Sequence, residues 1–151
     1  MQEHIQNELA SFIANCDWEK IAPHFKEDAA YRVLDWIGCA VAGEHYPQVE
    51  IAQKYFIENG DQGNSTVIGH QIKCSPRTAA FLNGIAGHVC ELDDGHRTAI
   101  GHPGSIAVPT ALALGEHLNA SGADVLKAVI LGYEVFSRLG RTVNPSHYRT
   151  W

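Results

Sequence analysis

Between residues 88 and 105 the chain reads H-V-C-E-L-D-D-G-H-R-T-A-I-G-H-P-G-S. Three acids (Glu91, Asp93, Asp94), three histidines (His88, His96, His102) and Arg97 fall in this one stretch. Histidine exchanges protons near neutrality, and carboxylates orient it or act as bases themselves. His102 lies between Gly101 and Pro103, on a constrained turn. Arg97 presents a planar fork of donors suited to a substrate carboxylate. Together these groups suit abstraction of a proton next to a carboxylate, with elimination or epimerisation to follow. The stretch is expected at the end of a helix, where the dipole disfavours acids. Carboxylates placed against that local rule point to function.

Two other readings stand beside this one. His88 and Glu91 are three residues apart on one helical face, and Asp94, His96 and His102 could complete a mixed nitrogen and oxygen metal shell. That spacing matches no metal motif, and the expectation is neither metal nor cofactor. Alternatively, Asp93 and Asp94 pair with His96 and Arg97 and simply close the helix. His88 on its own reads as a hydrogen-bonded core histidine. His4, His24, His45 and His117 read as surface or packing residues.

The rest of the chain narrows the field. Its 151 residues suffice for one domain with a core, and 45% hydrophobic residues exclude a disordered chain. A formal net charge of -6 with no Lys/Arg run argues against nucleic acid or an anionic membrane surface as partner. There is no G-x-G-x-x-G, Walker or G-x-S-x-G pattern. Cys16, Cys39, Cys74 and Cys90 form no C-x-x-C pair and read as free thiols in a reducing, cytoplasmic setting. The polar start lacks a signal-peptide core, and the longest apolar stretch, near 37–43, is too short to span a bilayer.

The elements that must hold the site are helical. Apolar spacing predicts helices over 3–15, 26–42 (with Ala30, Val33, Ile37, Ala40 and Val41 inward) and from Pro47 to Gly60. T-V-I-G is one extended piece without a visible partner strand. Ser75 and Pro76 start the next helix, with Leu82, Ile85, Ala86, Val89 and Leu92 inward and Gly95 as the left-handed residue past its end. Gly84 and Gly87 suggest close backbone packing. Pro109 falls in the first turn of a nearly all-apolar, central helix reaching Leu118. Ser121 caps a last helix that Gly140 ends. The fold class is therefore all-α, a single bundle of about six helices over 1–151.

These residues carry a resemblance. N-G-I-A-G-H-V-C-E-L-D-D-G-H-R, then G-H-P-G-S-x-x-V-P-T-A-L-A-L-G-E, G-Y-E-V-F-S-R-L-G, P-S-H-Y and the earlier V-L-D-W-I-G-C-A-V-A-G resemble the MmgE/PrpD family. That family includes 2-methylcitrate dehydratase, cis-aconitate decarboxylase and iminodisuccinate epimerase. The resemblance implies cofactor-free acid/base chemistry on small di- or tricarboxylates, in a helical domain with a smaller lid, commonly as a dimer. It puts Glu91, Asp93 and Asp94 as base and orienting carboxylates and His102 as acid or proton shuttle. His96, Arg97 and His147 become substrate-binding candidates. The decarboxylase branch has aspartate where this chain has Glu91 and threonine near Gly95, which points away from decarboxylation of cis-aconitate.

The resemblance covers only the family's amino-terminal part, without the lid. A histidine and a lysine of the family's site would fall beyond Trp151. The chain is thus expected to be a subunit of a split enzyme, a fragment, or a degenerate homologue with a binding role. The apolar Trp151 and the all-apolar helix at 109–118 favour a complementary chain or a homo-oligomer as partner.

Overall fold

The computed structural model describes residues 4–150, so Trp151 lies outside the described residues. Seven α-helices are present among the described residues: α1 Ile5–Ala14, α2 Pro23–Gly43, α3 Pro47–Glu58, α4 Pro76–His88, α5 Gly104–Leu118, α6 Gly122–Val143 and α7 Ser146–Thr150. A 3-10 turn, Trp18–Lys20, joins α1 to α2. No described helix is long and apolar enough to cross a membrane. The all-α expectation holds.

Start and stop chemistry sets most boundaries. Pro23, Pro47 and Pro76 each open a helix, where a missing N–H is harmless. Ser75 caps α4 by accepting from the Thr78 amide, and Ser121 caps α6 by accepting from the Asp124 amide. Pro109 does not start its helix. Helix α5 begins five residues earlier, with Pro109 buried inside it. Nor does Gly140 end α6, which continues to Val143. A Cβ at Gly140 would lie 2.6 Å from that of Ala99, so the glycine lets the loop before α5 approach the helix.

Helix α5 is central, packing against α2, α4, α6 and β1. One core cluster joins Trp36, Ala40, Val49, Ala86, Val108 and Val129. On α2 the buried residues are Ala29, Trp36, Cys39, Ala40 and Gly43, while Ala30 and Val41 are exposed. The expected stripe is rotated because the indole, the largest apolar group on the helix, turns inward. It meets Gly87, where a Cβ would lie 2.5 Å from the Trp36 ring nitrogen. Gly84 instead faces the Ser105 carbonyl, 3.2 Å from where its Cβ would be.

The extended piece does have a partner. Strand β1 (Ser65–Thr66) pairs antiparallel with β2 (Lys73–Cys74) over a second cluster of Val67, Cys74, Ala79, Leu82 and Ala113. Strands this short carry no alternation, and their stability comes from side-chain clamps. Glu116 accepts from the Thr66 amide at 2.6 Å, the Thr66 hydroxyl at 2.7 Å and Lys73 at 2.9 Å. Asn83 accepts from the Ile68 amide and donates to the Thr66 carbonyl, both at 2.9 Å. All four cysteines are free.

Candidate active site

Helix α4 stops at His88, well before the acids. The chain leaves it through Glu91, whose φ of 50° is left-handed. Gly95 is not the left-handed residue, because the helix ends earlier than its apolar pattern suggests. Leu92, expected inward, is exposed. Residues 96–101 form a tight turn: the His96 amide donates to the Gly101 carbonyl and the Ile100 amide to the His96 carbonyl, both at 2.8 Å. The chain then enters α5 at Gly104.

This path changes the electrostatic reading of the acids. Asp93 and Asp94 sit beside the N-terminus of α5, the positive end of its dipole. Asp94 accepts from the Gly104 amide at 2.9 Å, and Asp93 accepts from the Ser105 hydroxyl at 2.6 Å. Carboxylates that looked misplaced on one helix are well placed against the next.

Asp93 is the buried centre of the cluster, its side chain 1% exposed. His88 Nδ1 lies 3.0 and 3.1 Å from its two oxygens. His102 Nδ1 lies 3.4 Å from Oδ2 but is not aligned with it, and this buried nitrogen has no hydrogen-bond partner. The two imidazole rings are tilted, with centroids 4.6 Å apart. Behind the carboxylate, the Trp36 indole N–H donates to the Ser105 hydroxyl at 3.2 Å. A buried carboxylate is tolerable only when hydrogen-bonded, and these partners supply that. Its burial also fixes its orientation. Each imidazole turns Nδ1 to the shared carboxylate, leaving Nε2 as the free nitrogen.

His88 and His102 line a groove of about 710 Å³ with Ser105, Phe136, Asn144 and His147. The exposed His147 therefore shares a groove with His102. Asp94 belongs to a second network. It accepts from Arg32 at 3.4 Å. Burial, and then the hydrogen bond to Asp94, push the Tyr133 phenol above its ordinary range against the opposing pull of Arg32. Tyr133 is thus a proton donor at neutral pH. The Asp28 hydrogen bond raises Arg32 further above its usual value.

The remaining candidates lie elsewhere. Arg97 and His96 line a separate cleft of about 1020 Å³, with Arg32, Asp94 and Tyr133. The Ala99 amide donates to His96 Nδ1 at 3.0 Å, so that nitrogen is an acceptor that holds the turn. Glu91 is exposed and lines neither cavity. The structure therefore unites Asp93, His102 and His147 with His88, Asp94 with Arg32 and Tyr133, and leaves Glu91 apart. The metal shell weighed from spacing does not assemble as written. The donors that come together are His88, Asp93 and His102, without Glu91, Asp94 or His96. Ser105, Trp36, Arg32 and Tyr133 are not among the sequence candidates for the site, although Ser105, Trp36 and Tyr133 lie within the motif runs.

Comparison with known proteins places the chain in a family. Residues 7–151 match the MmgE/PrpD N-terminal domain. A cis-aconitate decarboxylase-like protein of Aspergillus oryzae is 31% identical over 144 residues, covering 91% of this chain and 30% of its own length. A cis-aconitate decarboxylase of Aspergillus terreus is 32% identical over 147 residues, 94% of this chain and 30% of that protein. The human cis-aconitate decarboxylase is 36% identical over 112 residues, 71% of this chain and 23% of that protein. The chain spans less than a third of the length of these relatives.

Proposed function

The chain belongs to the MmgE/PrpD family, and on that premise we propose that it forms one wall of a lyase-type site acting by acid/base chemistry on a small di- or tricarboxylate. The observation that carries this reading is the buried Asp93 carboxylate shared by two half-exposed imidazoles over one groove. In this reading the Asp93 charge, 3.4 Å from His102 Nδ1, favours a proton on that nitrogen, and Nε2 takes the proton from the carbon beside a substrate carboxylate. The electron pair left on that carbon expels a β-hydroxyl, which departs as water once protonated. In an epimerisation the carbon is instead reprotonated on its other face. His88, on the same carboxylate, is placed to return the proton, and His147 to pair with a substrate carboxylate. Arg97 and His96 serve a different cleft, so they are not assigned to this step.

The relatives are named for cis-aconitate, a tricarboxylate. The family resemblance implies an aspartate and a threonine where this chain has Glu91 and Gly95, so the proposal is proton abstraction of the 2-methylcitrate dehydratase type rather than decarboxylation. The test is turnover of 2-methylcitrate, citrate and cis-aconitate, with solvent deuterium exchange at the carbon next to the carboxylate as a second readout. His102→Ala is expected to lower exchange and turnover by about 10²–10⁴-fold, the usual contribution of one general acid or base. Unchanged exchange in a folded His102→Ala protein rules the assignment out.

A second reading has its own observation. A groove of about 670 Å³ between α5 and α6 is lined by Ile106, Leu114, Leu118, Leu131, Val135 and Leu139. Such a surface suits a non-catalytic helical subunit that pairs with a chain carrying the remaining family domains. A stable complex whose turnover is indifferent to both His102→Ala and Asp93→Asn would favour that reading.

A further inference from the structure

We propose that His88, Asp93 and His102 form a binding site for one divalent transition-metal ion of the zinc class. One ligand atom from each residue lies within 4.8 Å of the others. His88 Nδ1 is 3.0 Å from Asp93 Oδ1, and His102 Nδ1 is 3.4 Å from Oδ2. Tetrahedral bonds of about 2.0–2.2 Å to nitrogen and oxygen separate neighbouring ligand atoms by roughly 3.3–3.6 Å. The two nitrogen–oxygen separations lie within a few tenths of an ångström of that spacing, and the ligand atoms as a set stay within 4.8 Å of one another.

Three further observations converge. The buried His102 Nδ1 has no hydrogen-bond partner, and an orphaned ring nitrogen beside a carboxylate is a ready metal ligand. The carboxylate is already supported from behind, with Ser105 donating to Asp93 and Trp36 to Ser105. Ligating carboxylates in metal sites are held by such outer hydrogen bonds. Finally, both imidazoles line the 710 Å³ groove, which brings the cluster to the edge of a solvent-filled space. Two histidines and one carboxylate are borderline ligands that suit zinc, cobalt or nickel over calcium or magnesium.

The claim of binding rests on this geometry and not on the proposed reaction. Its consequence does rest on that reading. An ion bonded to both Nδ1 atoms occupies the nitrogens that Asp93 orients and takes the carboxylate with them. Metal and proton relay then exclude each other, and metal inhibits.

The test uses the purified chain, stripped with chelator and titrated with Co²⁺ near neutral pH. The readouts are visible absorption and calorimetry, with Zn²⁺ as competitor. The expected result is one ion per chain, the intense absorption of four-coordinate cobalt, and displacement by zinc. His88→Ala and His102→Ala should each abolish that spectrum while far-UV circular dichroism stays unchanged. Ser105→Ala should weaken binding about 10- to 100-fold, as outer-shell losses do. Weak absorption typical of aquo-cobalt, or binding that survives both histidine variants, overturns the proposal. Binding as expected without any effect on turnover leaves the site standing and removes the proposed reaction instead.

Discussion

Glu91 separates stability from function at a single residue. Its φ of 50° places a side chain where L-residues are strained by about 1–2 kcal/mol. Glycine relieves that strain, while its freer unfolded chain opposes it by about 0.5–1 kcal/mol. Glu91→Gly is therefore expected to leave the melting temperature unchanged or higher, by differential scanning calorimetry. Glu91→Gln keeps the strain and removes only the charge. If the Glu91 carboxylate takes part in chemistry, both variants lose turnover although the glycine one is no less stable than the parent. Gly104 makes the opposite case. A Cβ there would lie 2.6 Å from Asp94 Oδ1 and 2.9 Å from the Tyr133 hydroxyl. Gly104→Ala should cost about 1–3 kcal/mol by overpacking, read as a lower urea midpoint. Asp94 was legible as a special acid, but its partners were not. Arg32 and Tyr133 come from distant helices, and no local spacing joins them to residue 94.

At the level of elements, the hairpin shows how a sequence hides a sheet. Two-residue strands have no periodicity, and side chains from neighbouring helices, Glu116 on α5 and Asn83 on α4, tie them down. Partial burial pushes the Glu116 carboxyl up, but the Lys73 and Thr66 hydrogen bonds pull it further, to a net value below the usual carboxylate range. A folded-state value below the unfolded one stabilises the fold above the unfolded carboxylate pKa of about 4.3. That contribution is lost as pH falls through the depressed value. Glu116→Gln should thus lower stability at neutral pH and flatten the acid limb of a pH–stability curve, measured by denaturant titration. Three helix starts were legible, at Pro47, Pro76 and the Ser121 cap, whereas α2 starts at Pro23 rather than at 26 and α5 at Gly104 rather than at Pro109. The exits were not. Helix α4 ends at His88 because the chain turns back to place Asp93 and Asp94 at the start of α5, which the apolar spacing of Val89 and Leu92 cannot report. Helix α6 passes Gly140 because the glycine answers to Ala99 across the interface, not to its own helix.

For the whole molecule, the all-α class was legible because helical apolar spacing recurs along most of the chain. Which apolar faces stay uncovered was not, because spacing gives a stripe but not its neighbour. Two of the uncovered faces among the described residues differ in shape. Along α2, Tyr31, Leu34 and Val41 stand 64%, 66% and 49% exposed on one convex ridge. Between α5 and α6 the surface is concave, and Leu118 and Leu114 are 64% and 46% exposed beside it. That second groove shares Ile106, Phe136 and Leu139 with the histidine groove, so whatever covers it also borders the candidate site. A concave apolar trough accepts a helix, whereas a ridge offers a narrow line of contact. The isolated chain should therefore self-associate through α5 and α6. Leu114→Glu with Leu118→Glu is expected to shift its light-scattering mass toward the monomer. The melting temperature should change little, since changes at exposed positions stay within about 0.5 kcal/mol each. Leu34→Glu on α2 should leave the mass as it was. The reverse pattern, in which only Leu34→Glu yields a monomer, would move the sticky face to α2 and detach it from the histidine groove.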